Sequence, residues 1–277
     1  MPERTHSSAG SAGLADPGDV RASCGVGVVM DLDGDRTHRP VADGIELLEN
    51  LEHRGTTGAD PDTGDGAGIL LQTPHEFFAD EIEGLPGRGE YAVASLFMPQ
   101  DGEAAAGLQD LVESVLSDHG LDVFEWRKVP TDDGSLGETA VDSEPLVAQC
   151  FVRSDLDDEA FDRALYVARR DLETTVEERR PDGYGRFYVC SLDRETVVYK
   201  GLLTAEQLPE YYPEITDERV RSTFAMVHAR FSTNTLGAWH LAHPYRNIIH
   251  NGEFNTIQGN INWMRARETD LASEAFG

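Results

Sequence analysis

The run CGVGVVMDL at residues 24–32 divides the chain. It is continuously apolar over Gly and Val, which predicts a buried strand and marks where the globular part begins. Upstream, residues 1–23 are rich in Ser, Ala, Gly, Asp and Pro and have no sustained hydrophobic period, so they read as a disordered leader. The leader lacks the apolar segment of a secretory signal. It carries acids and few arginines, which excludes a transit peptide.

Downstream, Val41, Ile45, Leu48 and Leu51 recur at helical spacing. Residues 55–68 hold mostly Gly, Thr, Asp and Pro and predict a long loop. Strands are expected at 69–72, 91–98, 146–152, 224–231 and 247–250, and helices at 75–82, 104–119, 157–175 and 256–267. Residues 187–192 and 196–199 read as a hairpin around Asp193-Arg194, and 132–142 as an acidic surface loop. Runs of adjacent strands favour an α+β or layered α/β domain over a doubly wound parallel sheet. There is no internal repeat, and no break within 24–277 marks a second domain.

Charge narrows the function classes. Asp plus Glu come to 51 against 23 Lys plus Arg, a formal charge of −28, which excludes a nucleic-acid or anionic-membrane binder working by bulk charge. No apolar run approaches a membrane span of roughly 18 residues, so a soluble cytoplasmic protein is expected. Hydrophobic residues at 39% suffice for a core. Cys24, Cys150 and Cys190 are too few for a disulfide scaffold or a four-cysteine metal knuckle. Only Lys128 and Lys200 are lysines. Heat adaptation enriches Lys with Glu, so the acidity reads instead as adaptation to high salt, where screening shortens self-repulsion.

Three segments can carry chemistry. Cys24 reads as a small buried hydrophobe or as a nucleophile; no histidine or acid follows it before Asp31 to act as base. Its position where the leader meets the fold matters, because cleavage of the Ser23–Cys24 bond would give it a free α-amine. Such an amine has a pKa of about 7.7–8.0 and can serve as a base on the same residue. The segment LEHRGTTGADPDTGDGAG at 51–68 matches neither a phosphate loop nor a dinucleotide fingerprint, and its Asp60, Asp62 and Asp65 only loosely resemble a calcium loop. It is a long turn or the border of a site. In 228–262, His240, His243 and His250 lack the spacing of a metal set and read as structural histidines. Arg230 is either half of an internal ion pair or a clamp for a carboxylate. Asn251-Gly252 is either a hairpin turn or a pair of oxyanion donors.

Taken in order, CGVG at 24–27, LEHRG at 51–55, HARFS at 228–232 and HNGE at 250–253 resemble the class II glutamine amidotransferase domain, an N-terminal-nucleophile hydrolase. RGTTGADPDTGDGAGILLQT at 54–73 and NTIQGNINWMRARE at 255–268 bring the resemblance close to the glutaminase domain of glutamate synthase large chains. The resemblance implies a four-layer αββα sandwich over 24–277 and a cleaved propeptide at 1–23. It implies Cys24 as nucleophile, Asn251 and Gly252 as the oxyanion hole, and Arg230 as clamp on the α-carboxylate of L-glutamine. Arg54 would orient the Cys24 end, and Thr233 and Asn234 would line the pocket. It also implies that ammonia is destined for 2-oxoglutarate in a synthase domain or subunit. FMN and an iron–sulfur cluster are expected only there, with no cofactor or metal in this chain. The family's acidic element that binds the substrate amine is not recognisable before Gly277. The expected alternatives are therefore a truncated frame, one piece of a split enzyme, or a non-catalytic module that binds glutamine or a synthase partner.

The salt reading carries a first prediction. The thermal unfolding midpoint is expected to rise between about 0.1 M and multimolar KCl, as repulsion among the carboxylates is screened. Equal stability at both salt levels would remove that reading.

Overall fold

A computed structural model describes residues 25–54, 57, 60–229, 237–250 and 257–274. Its described elements run β1 (Gly25–Met30), α1 (Arg39–Asn50), β2 (Ala67–Gln72), α2 (His75–Glu81), β3 (Ala92–Met98), α3 (Gly102–Asp118), β4 (Asp122–Lys128), α4 (Glu138–Asp142), β5 (Leu146–Arg153), α5 (Asp158–Arg179), β6 (Tyr188–Asp193), β7 (Thr196–Gly201), α6 (Gln207–Tyr211), β8 (Phe224–Ala229) and α7 (Gln258–Arg267). The strands form two antiparallel sheets, ordered β1-β8-β2-β7 and β4-β5-β3-β6. Helix α1 covers the first sheet, and α3 with α5 covers the second. The layers are helix, sheet, sheet, helix, the α+β, four-layer αββα sandwich that the resemblance implies.

Side-chain periodicity explains the layering. On β3, Val93 and Phe97 join the core that includes the first sheet and α1, while Ala92, Ala94, Leu96 and Met98 join the core under α3 and α5. On β5, Val147 and Phe151 face the first core, and Ala148, Cys150 and Val152 face the second. Both strands are apolar on both faces because both faces are covered. The helices present single stripes: Val41, Ile45 and Leu48 on α1; Leu108, Val112 and Val115 on α3; Phe161, Leu165, Ala168, Leu172 and Val176 on α5. Asp101 and Asp157 cap α3 and α5 by accepting from Ala104 N and Ala160 N, each at 2.9 Å.

Four expectations change. The strand expected at 24–32 is described over Gly25–Met30 and lies at a sheet edge rather than buried; among the described residues β1 pairs with β8 alone, and Val28 and Met30 are exposed. The strands at 187–199 are not a hairpin. β6 pairs with β3 and β7 with β2, so the turn, whose Asp193 carboxylate accepts from Glu195 N (2.7 Å) and Thr196 N (3.0 Å), carries the chain from one sheet to the other. The acidic loop at 132–142 contains α4, whose amides are capped from afar: Thr139 N donates to Asp60 Oδ2 (3.2 Å) and Ala140 N to Thr63 Oγ1 (3.3 Å). Residues 247–250 form no strand; Tyr245 and Ile248 close a turn. Strand β4 was not anticipated, since a register shift between Val123 and Glu125 interrupts its alternation.

A polar tie spans the sheets. Arg127 on β4 donates to Gln149 Oε1 (2.9 Å) and to the carboxylate of Glu214, which also accepts from Tyr199 Oη on β7 (2.7 Å). Nearby, the Phe151 ring is fully buried and meets Phe78 edge-on at 5.0 Å. Phe151→Ala is expected to cost about 3–5 kcal/mol in denaturant unfolding, from lost burial plus the cavity left behind.

Candidate active site

All four strands of the first sheet end together on one side. Gly25, which opens β1, lies opposite Ala229, which closes β8; Ala229 also lies opposite Ala67, which opens β2; and Ala67 lies opposite Gly201, which closes β7. The residues bonded to Gly25 and Ala229 are Cys24 and Arg230. Cys24, Arg230, Thr233, Asn234, Asn251 and Gly252 lie outside the described residues. Arg54 closes a short 3-10 turn, Glu52–Arg54, directly after α1.

Residues 237–250 form a strap over this end of the sheet. His228 on β8 donates through Nε2 to the carbonyl of His250 (2.8 Å), the residue before Asn251. Its ring stacks on His243 at 4.4 Å and 22°, and His243 meets Tyr245 at 4.0 Å. The described residues therefore bring three motif neighbours together: Gly25, Ala229 and His250. Beneath the strap, Gly68 permits the approach; a Cβ there would come within 2.4 Å of the His243 carbonyl oxygen and 2.6 Å of Lys200 Cβ.

The glycine-rich loop is a structural border. Thr57 bridges to Gly64, and a Cβ on Gly64 would meet the Leu203 carbonyl at 2.2 Å. The Asp60 carboxylate accepts from Thr63 Oγ1 (2.8 Å) and the amides of Asp62 and Thr139, so it is occupied by donors rather than arranged as a cation ligand. Among the described residues, no group of three His, Cys, Asp or Glu is placed to hold a metal. Cys190 lies in the core shared with the first sheet and Cys150 under α3 and α5. Burial pushes the Cys190 thiol up to about 12 and raises Cys150 as well, so both are neutral buried thiols near pH 7. No described helix is long and apolar enough to cross a membrane.

The electrostatics are those of a dry interior. Burial lowers His228 to about 4, against the opposing pull of the His250 carbonyl that accepts from its ring. Burial with His228, His250 and Lys200 nearby lowers His243 to about 3. Both rings are neutral near pH 7. Lys200 was missed by the sequence reading, although a lysine inside the apolar run TVVYK signals a buried partner. It is 1% exposed.

The sequence model of the family described as glutamine amidotransferases class-II matches residues 24–277. The chain belongs to this family. It is 44% identical over 270 residues to the NADPH glutamate synthase large chain of Bacillus subtilis (strain 168), covering 96% of this chain and 18% of that protein. Against the corresponding large chain of Azospirillum brasilense it is 39% identical over 273 residues, again 96% of this chain and 18% of the relative. Against ferredoxin-dependent glutamate synthase 2 of Arabidopsis thaliana it is 39% identical over 262 residues, 92% and 16% respectively. The chain thus spans less than a fifth of the length of these relatives. The class II glutamine amidotransferase domain holds the residue order of the four motifs, and the end of its first sheet is where described residues of three of them, Gly25, Ala229 and His250, meet.

The depressed histidines give a pH prediction. Unfolded His228 takes up a proton below about 6.5, whereas the folded ring resists protonation until about 4. The unfolded state then binds more protons, so stability is lost as pH falls through this window. His228→Gln is expected to show a shallower decline in unfolding midpoint between pH 6.5 and 4 than the unsubstituted chain, measured by thermal melts.

Proposed function

We propose that this chain hydrolyses L-glutamine to L-glutamate and ammonia, with Cys24 as an N-terminal nucleophile. The observation that supports this reading is the shared end of the first sheet, where Gly25, Ala229 and His250, the neighbours of Cys24, Arg230 and Asn251, converge. In this reading residues 1–23 are removed by cleavage of the Ser23–Cys24 bond. The freed α-amine takes the thiol proton, and the thiolate attacks the side-chain amide carbon of glutamine. The tetrahedral oxyanion accepts hydrogen bonds from the Asn251 side-chain amide and the Gly252 N–H, donors worth about 10²–10³ in rate each. The α-ammonium returns its proton to the leaving nitrogen, ammonia departs, and a γ-glutamyl thioester remains. Water activated by the same amine then releases glutamate and regenerates the thiol.

Arg230 pairs its planar guanidinium with the substrate α-carboxylate, Arg54 orients the Cys24 end, and Thr233 and Asn234 line the pocket. The ammonia is destined, in the cytoplasm, for amination of 2-oxoglutarate by a synthase domain or subunit. FMN and an iron–sulfur cluster would belong to that part.

Intact mass of the purified chain and ammonia release from glutamine test the proposal. The expected result is loss of residues 1–23, with ammonia release that Cys24→Ala reduces by at least about 10³. An uncut chain without glutaminase activity would make this a non-catalytic module. Undiminished release by Cys24→Ala would overturn the nucleophile assignment.

A further inference from the structure

Lys200 lies on β7, one residue before the strand end at Gly201. Its Nζ donates to the carbonyls of His240 (2.9 Å) and Ala242 (2.8 Å), both in the strap. The same ammonium sits 4.6 Å from the Tyr188 ring centroid on β6 and 4.8 Å from that of Tyr245 on the strap. Its own backbone is held, because Tyr212 Oη donates to the Lys200 carbonyl (2.8 Å). Gly68, directly opposite Lys200 in the ladder, leaves room for the strap to descend onto the sheet.

Such a buried cation is costly unless its donors are used. Here two of its three N–H groups reach backbone carbonyls of the strap, and aromatic faces flank the charge. Burial lowers it to about 8, with Arg246 lowering it further and Cys190 opposing, so the ammonium persists at neutral pH. His240 and His243 also pack around it and are held below their ordinary range by burial. From its two bonded carbonyls the chain runs through Tyr245 and Ile248 to His250, whose carbonyl is held by His228.

We infer that Lys200 is a positioning residue: it pins residues 237–250, the segment that leads in sequence into Asn251 and Gly252, to the end of the first sheet. Its catalytic half rests on the proposed glutaminase reading, in which the residues that follow this segment in sequence are the oxyanion donors. Donors aligned for the transition state matter to kcat more than to substrate binding.

The test uses the 277-residue chain with Lys200→Met and Lys200→Arg. Hydrogen–deuterium exchange reads the strap independently of catalysis, and steady-state glutamine hydrolysis reads the site. Expected for Lys200→Met is faster exchange in peptides covering 237–250 with β3 and β5 unchanged, and a fall in kcat of about 10–100-fold with KM within about threefold. Lys200→Arg, which keeps charge and donors, is expected to restore much of both. Should Lys200→Met fail to fold, Lys200→Gln carries the same comparison. Unchanged exchange in the strap overturns the anchoring. Faster exchange with unchanged kcat overturns the positioning role. A wild-type chain that releases no ammonia overturns the glutaminase reading and the catalytic half of this inference with it, while the exchange arm still decides whether Lys200 anchors the strap.

Discussion

The site depends on the pairing of β8 on both sides in one register. Ala229 lies opposite Gly25 on one side and Ala67 on the other. Shifting β8 by one residue would turn Ala225 and Val227 away from the core and carry His228 to the other face, since alternate residues point to opposite sides. That register sets which residues stand at the end of the sheet. It brings the neighbour of Cys24 beside the neighbour of Arg230, although they are separated by some two hundred positions in sequence.

The cover over that end is held by unusual means. A strand ladder would satisfy its own backbone groups, but 237–250 holds only a short 3-10 turn and a Tyr245–Ile248 turn, and several of its other carbonyls are taken up by side chains. Lys200 serves His240 and Ala242, His228 serves His250, and Trp239 Nε1 in turn donates to Ala140 O of α4 (3.1 Å). Removing one such donor leaves a buried acceptor unpaired, so the cost lies in desolvation more than in the lost bond itself. The glycine-rich loop completes the surround: Asp62 O accepts from Gly137 N (2.9 Å) and Gln207 Nε2 (2.7 Å), tying residues 60–63 to α4 and α6.

Acidity acts at a different level. With carboxylates in excess, single arginines serve several at once. Arg194 pairs with Asp158 and Asp162, each at 2.7 Å, and Arg219 with Asp80, Glu81 and Asp217. A planar guanidinium with five donors suits this sharing better than a compact ammonium, which fits the near absence of lysine. The lysine on β7 is spent inside the protein, where three donors on a long stem reach two carbonyls.

Much of this was legible in the sequence. Local periodicity located α1, α3, α5 and the strands β2, β3 and β5, because a covered face needs an apolar stripe whatever covers it. The four ordered motifs carried the family, and with it the αββα fold. What periodicity does not contain is the partner of each strand. It could not separate β6 and β7 into different sheets, since a crossover turn and a hairpin turn use the same Asp-centred chemistry. Nor could it find the caps of α4, which come from a loop 77 and 79 residues upstream, or the two carbonyls that Lys200 holds. The sequence alone determined which side chains must be buried and which family the motifs belong to. The tertiary structure decided which distant residues meet at the sheet end, because backbone pairing and buried-donor satisfaction are settled between segments far apart in the chain.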